Sequence, residues 1–415
     1  MFLEKAIPEE ARDAYRRDAW GGMLAGLFNG AISPFLGFIA RDRLGASELL
    51  IGLMSTAPAV GSIFALLYAN SMEGKNKMPY VVWPGLIGRG LFVFSLFALT
   101  PLAFALIVFF AIGLSSIIGP AYAAVLKEIY PDTNRGQIMG YIRVGMAFMT
   151  FASTLIVGTF LQGGNIPFLD ITLSPVDFRY LYPIAALLGM MSSLAFGSIT
   201  TAHVDRNDPA NIRVPIFRFL KDTLGILQED RRYAWFCAAI FLSGFGNLIA
   251  IPLYTVFQVD TLHITAGWVA LLVNATTVIW MLSYLYWGKH VDARCPLTAT
   301  MINVIIGALV PLNYFFATKI WMLFPSALFS GIAMAGTELA YFNSILSLAK
   351  DGKESRYQAL HFFLFGIRGI VAPFAGVALI RSGMDIKNIF LLSFSMMIVG
   401  AFVQLKGIRV RCITP

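Results

Sequence analysis

"TAHVDRNDPANIRVPIFRFLKDTLGILQEDRRY", residues 201–233, is the longest polar interruption in a 415-residue chain that is 58% hydrophobic and 13% charged. Its position decides the fold. Before it lie six apolar runs, at 19–40, 48–69, 79–100, 102–126, 138–161 and 180–200. After it lie six more, at 234–257, 267–287, 297–317, 320–349, 357–380 and 388–405. Each is close to the 20 or so residues that cross a bilayer as a helix. A soluble domain is usually about 45–50% apolar and about 25% charged, so this apolar excess needs lipid to face. The expected fold class is all-α integral membrane, with twelve transmembrane helices in two pseudo-symmetric six-helix bundles.

The expected domains follow from that split. Residues 1–18 form a polar N-terminal segment, 19–200 the first bundle, 201–233 a linker, 234–405 the second bundle and 406–415 a tail. In the linker, Phe217, Leu220, Leu224 and Leu227 recur at helical spacing. That predicts an amphipathic helix against the inner face, with a plain solvated connector as the alternative. Ala11 to Asp18 reads as a short polar helix on the membrane surface. The first eighteen residues lack a short apolar core and a small-residue cleavage site, so the first span is expected to act as an uncleaved entry signal.

A formal charge of +8 raises the question of nucleic acid. Its distribution answers it. With the N-terminus inside, 22 of the 31 Lys and Arg residues fall on the inner side and six on the outer, with Arg89, Arg143 and Arg368 within spans. That is a positive-inside bias, so both termini are expected on the cytoplasmic side of a cell (inner) membrane. No nucleic-acid partner is expected. Cys237, Cys295 and Cys412 offer neither a CxxC nor a plausible disulfide pair.

The halves repeat. An offset of 218 residues lays "GLFNGAISPF" (26–35) on "GFGNLIAIPL" (244–253), matching Gly26 with Gly244, Asn29 with Asn247 and Pro34 with Pro252. Ser47 then meets Thr265. The segment "DTNRGQIMGYIRVG" (132–145) before the fifth span has its counterpart in "KESRYQALHFFLFG" (353–366) before the eleventh. Two parallel six-helix halves are a known transporter plan, with the substrate site near the midplane.

With the loops "GKHVDARCP" (288–296) and "YPDTNRGQIMGYIRVG" (130–145), the sequence resembles the major facilitator superfamily. The first loop is similar to the family's Gly-x-x-x-Asp-Arg-x-Gly-Arg-Arg signature through Gly288, Asp292 and Arg294, although Asp-Ala-Arg replaces Asp-Arg. In "ANSMEGKNK" (69–77), Glu73 takes the acidic position of a more degenerate copy. The resemblance implies a gating set of Gly288, Asp292, Arg294, Glu73, Arg135 and Arg356, with Asp292 near Arg356. A solvated inner loop is the plainer alternative. It also implies that the first and seventh helices line a central cavity, and that the third, sixth, ninth and twelfth are mostly peripheral.

Ionisable groups inside a membrane are costly and mark candidate sites. Glu338 stands in the apolar run "GIAMAGTELAYFNSIL" (331–346), twelve residues before Lys350; every other Asp and Glu falls near a span end or in a loop. Arg368 stands twelve residues after Arg356. At about 1.5 Å per residue, both lie roughly 18 Å from the inner end of their helices, so the two are within reach of each other. A lone Glu there suits proton coupling, an ion pair with Arg368 suits structure, and a helix-packing contact is the third reading. Arg368 also suits an anionic substrate group.

Asn29 and Asn247 stand mid-span, each five residues ahead of a proline. They suit binding, gating or an interhelical hydrogen bond. Tyr122, Tyr341 and Asn343 join them on the same reasoning. Arg89 reads as a structural partner within the first half, with a substrate role as the alternative. Arg143 and His361 lie one or two turns from a helix end, where a side chain can snorkel or gate; snorkelling is the plainer reading of Arg143, and His361 suits either a titrating group or a polar contact.

No phosphate-binding loop, metal-spaced His/Cys/acid cluster or catalytic pair is present in the sequence. No cofactor, metal or catalytic residue is therefore expected, and the chain does not read as an enzyme. The expectation is a monomeric secondary active transporter in the lipid bilayer, moving a small-molecule substrate by alternating access. Proton coupling would run through Glu338. An uncoupled facilitator, a lipid-like flippase and a non-transporting sensor on the same fold are the alternatives.

Overall fold

The computed structural model describes residues 7–72, 75–131, 134–166, 171–200, 225–293, 296–350 and 354–408. Among them are twelve helices long and apolar enough to cross a membrane, one for each run read from the sequence. They are α1 (Glu9–Arg43), α2 (Glu48–Ala65), α3 (Met78–Phe97), α4 (Pro101–Ile129), α5 (Arg135–Gln162) and α6 (Phe178–Gly197), then α7 (Arg231–Thr261), α8 (Ala266–Tyr284), α9 (Pro296–Phe316), α10 (Ile320–Ile345), α11 (Arg356–Arg381) and α12 (Ile386–Leu405). A short antiparallel pair that the sequence did not suggest, β1 (Gly164–Ile166) and β2 (Ile171–Leu173), lies between α5 and α6.

Polar side chains start several helices by accepting from otherwise unpaired backbone N–H groups. Thr100 accepts from Ala103 at 3.2 Å ahead of α4. Asp230 accepts from Arg232 and Tyr233 at 3.1 and 3.0 Å ahead of α7. Most of the linker, including Phe217, Leu220 and Leu224, lies outside the described residues; residues 225–229 are helical.

The chain forms two compact units. The first comprises Met1–Leu50, Val60–Arg213 and Thr265–Ala270; the second comprises Ile51–Ala59, Val214–Ile264 and Leu271–Pro415. In the first unit α1 packs on α5 and α6. Gly26 and Gly30 permit it, because a Cβ at either would collide with the Met146 or Thr150 carbonyl of α5. Small residues are how membrane helices approach closely. Pro34 has no N–H for the Gly30 carbonyl one turn back, and Thr154 Oγ1 donates to that carbonyl instead, at 3.0 Å.

The expected surface helix is not separate. Ala11 caps, and Arg12 to Asp18 begin, one continuous helix Arg12–Ile32. The reason is burial: Tyr15 and Asp18 are 1% and 3% exposed, packed with Tyr130 and Phe196. Asp18 is therefore an acid the sequence reading placed at a span edge but the fold encloses. Tyr130 Oη donates to its Oδ2 at 2.8 Å. Burial, then the Asp18 carboxylate, push the Tyr130 phenol upward, so it stays a donor across the working pH range.

In the second unit α7 packs on α11 and α12, and α9 on α10 and α12. Tyr357 Oη donates to Asp230 Oδ2 at 2.8 Å and Tyr233 Oη to the Tyr357 carbonyl at 2.6 Å, joining the first turns of α7 and α11. The repeated prolines act differently. Pro34 lies in a 3-10 turn, Ser33–Phe35, whereas Pro252 stays inside the unbroken helix Arg231–Val256.

Candidate functional site

A cavity of about 550 Å³ opens within the second unit, lined by α7, α9, α10, α11 and Met397 of α12. Its geometry starts in the sequence of α10. After the small-residue run ending at Gly336, residues Thr337–Tyr341 form a π-helical turn. Such a turn inserts a residue into the helix and is frequent at functional sites. It carries Glu338 and Tyr341, both of which line the cavity.

Arg368 reaches the same cavity from α11 and is 7% exposed. One terminal nitrogen donates to the Ile240 carbonyl of α7. The other donates to Tyr341 Oη at 3.4 Å, and the Phe365 ring lies 5.4 Å beneath the guanidinium carbon. Its Nε is buried without a partner. The guanidinium occupies the space that a side chain at Gly244 would fill. The Tyr341 hydroxyl meets His361 Nδ1 at 3.2 Å, so Arg368, Tyr341 and His361 form one polar chain.

The juxtaposition read from the sequence thus takes another form. Glu338 and Arg368 line one cavity, but among the described residues Arg368 forms no ion pair with Glu338; its donors go to neutral oxygens of α7 and α10. Glu338 stands on the π turn of α10, and the Arg368 guanidinium fills the space beside Gly244.

Asn247 also lines this cavity. Asn343 does not join it and gives its amide to the Leu339 carbonyl of its own helix at 2.8 Å. In the first unit, Asn29 is half-buried on α1, and Tyr122 lies against Phe196 with ring centres 5.3 Å apart. Arg89 donates to the Gly189 carbonyl and the Ser192 and Ser193 hydroxyls of α6 at 3.0, 3.0 and 2.9 Å. Arg143 is exposed on α5.

Of the gating set, Gly288 and Asp292 lie on the helix Ala266–Ala293, and Arg356 is exposed at the start of α11. Arg135 donates to the carbonyls of Leu126, Lys127 and Tyr130 at the end of α4. Glu73, Arg294 and the side chain of Asp292 lie outside the described residues.

The sequence reading missed Asn303, Thr337 and Tyr254 in the cavity wall. Asn303 gives its amide to Thr337 Oγ1 at 3.0 Å, and its Oδ1, like Tyr254 Oη, is buried without a partner. An amide in the apolar run of α9 is a visible signal, and its place in the wall differs from the peripheral position that the resemblance implies for that helix.

A family model of the Major Facilitator Superfamily matches residues 19–373. The chain belongs to that superfamily. Solved structures agree on the fold at low identity. The nucleoside transporter NupG is 13% identical with a TM-score of 0.70, covering 95% of this chain and 99% of that one. A D-xylose-proton symporter is 13% identical with a TM-score of 0.66, covering 96% and 98%. An inward-facing, unoccupied bacterial homologue of the human lysosomal transporter Spinster is 13% identical with a TM-score of 0.61, covering 96% of each. No curated protein matches the sequence. In this superfamily member, then, Asn247, Glu338, Tyr341 and Arg368 of the second unit line one cavity.

Proposed function

We propose that the protein is a secondary active transporter that moves a small polar organic solute by alternating access, with protons coupled through Glu338. The observation that carries this reading is the cavity of the second unit, where a carboxylate, a guanidinium and two amides meet within an apolar wall. Binding pockets are commonly apolar with a few placed polar groups. Glu338 is exposed to the cavity from a π-helical turn, which lets a proton reach it. One fold neighbour is a D-xylose-proton symporter and another a nucleoside transporter; both support solute transport as the activity.

The charge bias supports a multi-pass protein of the cell (inner) membrane with cytoplasmic termini; a monomer is the proposed working form. Asp292, with Arg356, is the proposed gating acid by resemblance. Arg89 is proposed to hold α3 to α6.

The test is uptake by purified protein in liposomes across a solute panel, with and without an inward-acid pH gradient. The proposal expects accumulation above the outside concentration only with the gradient. Equilibration without accumulation makes the protein an uncoupled facilitator, and no movement of any solute favours a sensor.

A further inference from the structure

We propose that the solute is an organic anion whose carboxylate or phosphoryl group is received by Arg368, while its hydrocarbon body lies on the apolar wall of the cavity. The inference rests on the transport reading and names its substrate class.

The argument starts from a charge. A guanidinium buried in low dielectric is unfavourable unless an anion or a full set of acceptors compensates it. Arg368 has two neutral oxygens and a ring, and its Nε is buried with no acceptor. The chain holds its own comparison in Arg89. One terminal nitrogen of Arg89 already reaches a carbonyl and two hydroxyls supplied by α6, and no Arg89 nitrogen is among the buried atoms left without a partner. Arg89 is finished by the fold; Arg368 is not.

The surroundings of Arg368 hold it in place. Gly244 leaves the space that its guanidinium fills, and Tyr341, itself fixed by His361, takes one nitrogen. A planar donor fork held by neutral contacts is suited to an incoming oxyanion. Tyr254 Oη, also buried and unpartnered, is a second hydroxyl donor in the same wall. Between these groups the lining is apolar, with Ile240, Val304, Met334 and Met397. A bare inorganic ion would leave that surface uncovered; an organic anion covers it.

The experiment is ligand binding to detergent-purified full-length protein, read as thermal stabilisation over a concentration series. Anions are set against neutral molecules of matched skeleton: benzoate against benzamide, and benzyl phosphate against benzyl alcohol. The proposal expects at least one anion to bind at least tenfold more tightly than its neutral match, and the better of the two assigns carboxylate or phosphoryl. Arg368→Gln should abolish that preference, and Arg368→Lys should keep part of it. Should Arg368→Gln fail to fold, Gly244→Ala keeps the charge but displaces the guanidinium, and should weaken the anion about tenfold. No anion binding, equal binding of the neutral matches, or an unchanged preference in a folded variant overturns the inference. Liposome uptake separates the two readings. Neutral solutes moved equally by wild type and Arg368→Gln leave transport standing without the anion site. Anion binding with no uptake leaves the site standing without transport.

Discussion

Gly45 and His263, 218 positions apart, close α1 and α7 with the same left-handed backbone, φ 68° and 51°. The match extends to the turn before them. Ile39–Arg43 and Phe257–Thr261 are both π-helical, and Leu44 and Leu262 each donate their N–H, at 3.1 Å, to the carbonyl of the first residue of that turn. The repeat is thus written in backbone as well as in residue type. It uses glycine in one half and a histidine in the other.

That pair predicts opposite responses to substitution. A side chain in the left-handed region costs roughly 1–2 kcal/mol. Gly45→Val should therefore lower stability by about that amount in a thermal unfolding series, and His263→Gly should leave it unchanged or raised. A clear loss in His263→Gly would mean that the imidazole makes a contact worth more than the strain.

Tyr130 and Asp18 form a second test. Tyr130→Phe leaves a buried carboxylate without its donor and should cost about 1–3 kcal/mol. The double variant Asp18→Asn, Tyr130→Phe should cost less than the two single changes added together. Additive losses in that cycle would show the contact to be energetically idle.

Arg89 should matter to stability and not to solute. Arg89→Met removes a charged donor from one carbonyl and two hydroxyls of α6, at about 1.5–3 kcal/mol for bonds of this kind. Solute affinity in the protein that remains folded should stay within about twofold. A tenfold loss of affinity in folded protein would place Arg89 in the binding machinery instead.

Much of this was legible in the sequence because lipid imposes it. The twelve spans follow from apolar length; Glu338 and Arg368 stand out by polarity and depth, and Asn247 and Tyr341 by the repeat and the resemblance as well. What the sequence withheld was direction. Residue counting set Glu338 and Arg368 level, but the π turn of α10 and the space at Gly244 depend on how three helices pack, and they send the guanidinium to the Ile240 carbonyl. Asp18 was hidden for a related reason. Its burial comes from Tyr130, 112 residues away, which no local pattern reports.

The proposed coupling runs through Glu338. A carboxylate that loads a proton on the acid side and releases it on the other makes uptake rise as the outside pH falls at fixed inside pH. Glu338→Gln cannot exchange that proton, so its uptake should be flat with outside pH while solute still equilibrates. A pH profile in Glu338→Gln equal to that of wild type would remove Glu338 from coupling.

The most direct measurement is counterflow. Liposomes holding purified protein are loaded with an excess of the best-transported unlabelled solute of the uptake panel, then diluted into a trace of the labelled form. Alternating access predicts a transient internal excess of label that decays as the unlabelled pool leaves, with no pH gradient required. A monotonic approach to equilibrium, equal to that of protein-free liposomes or of an open pore, would contradict it.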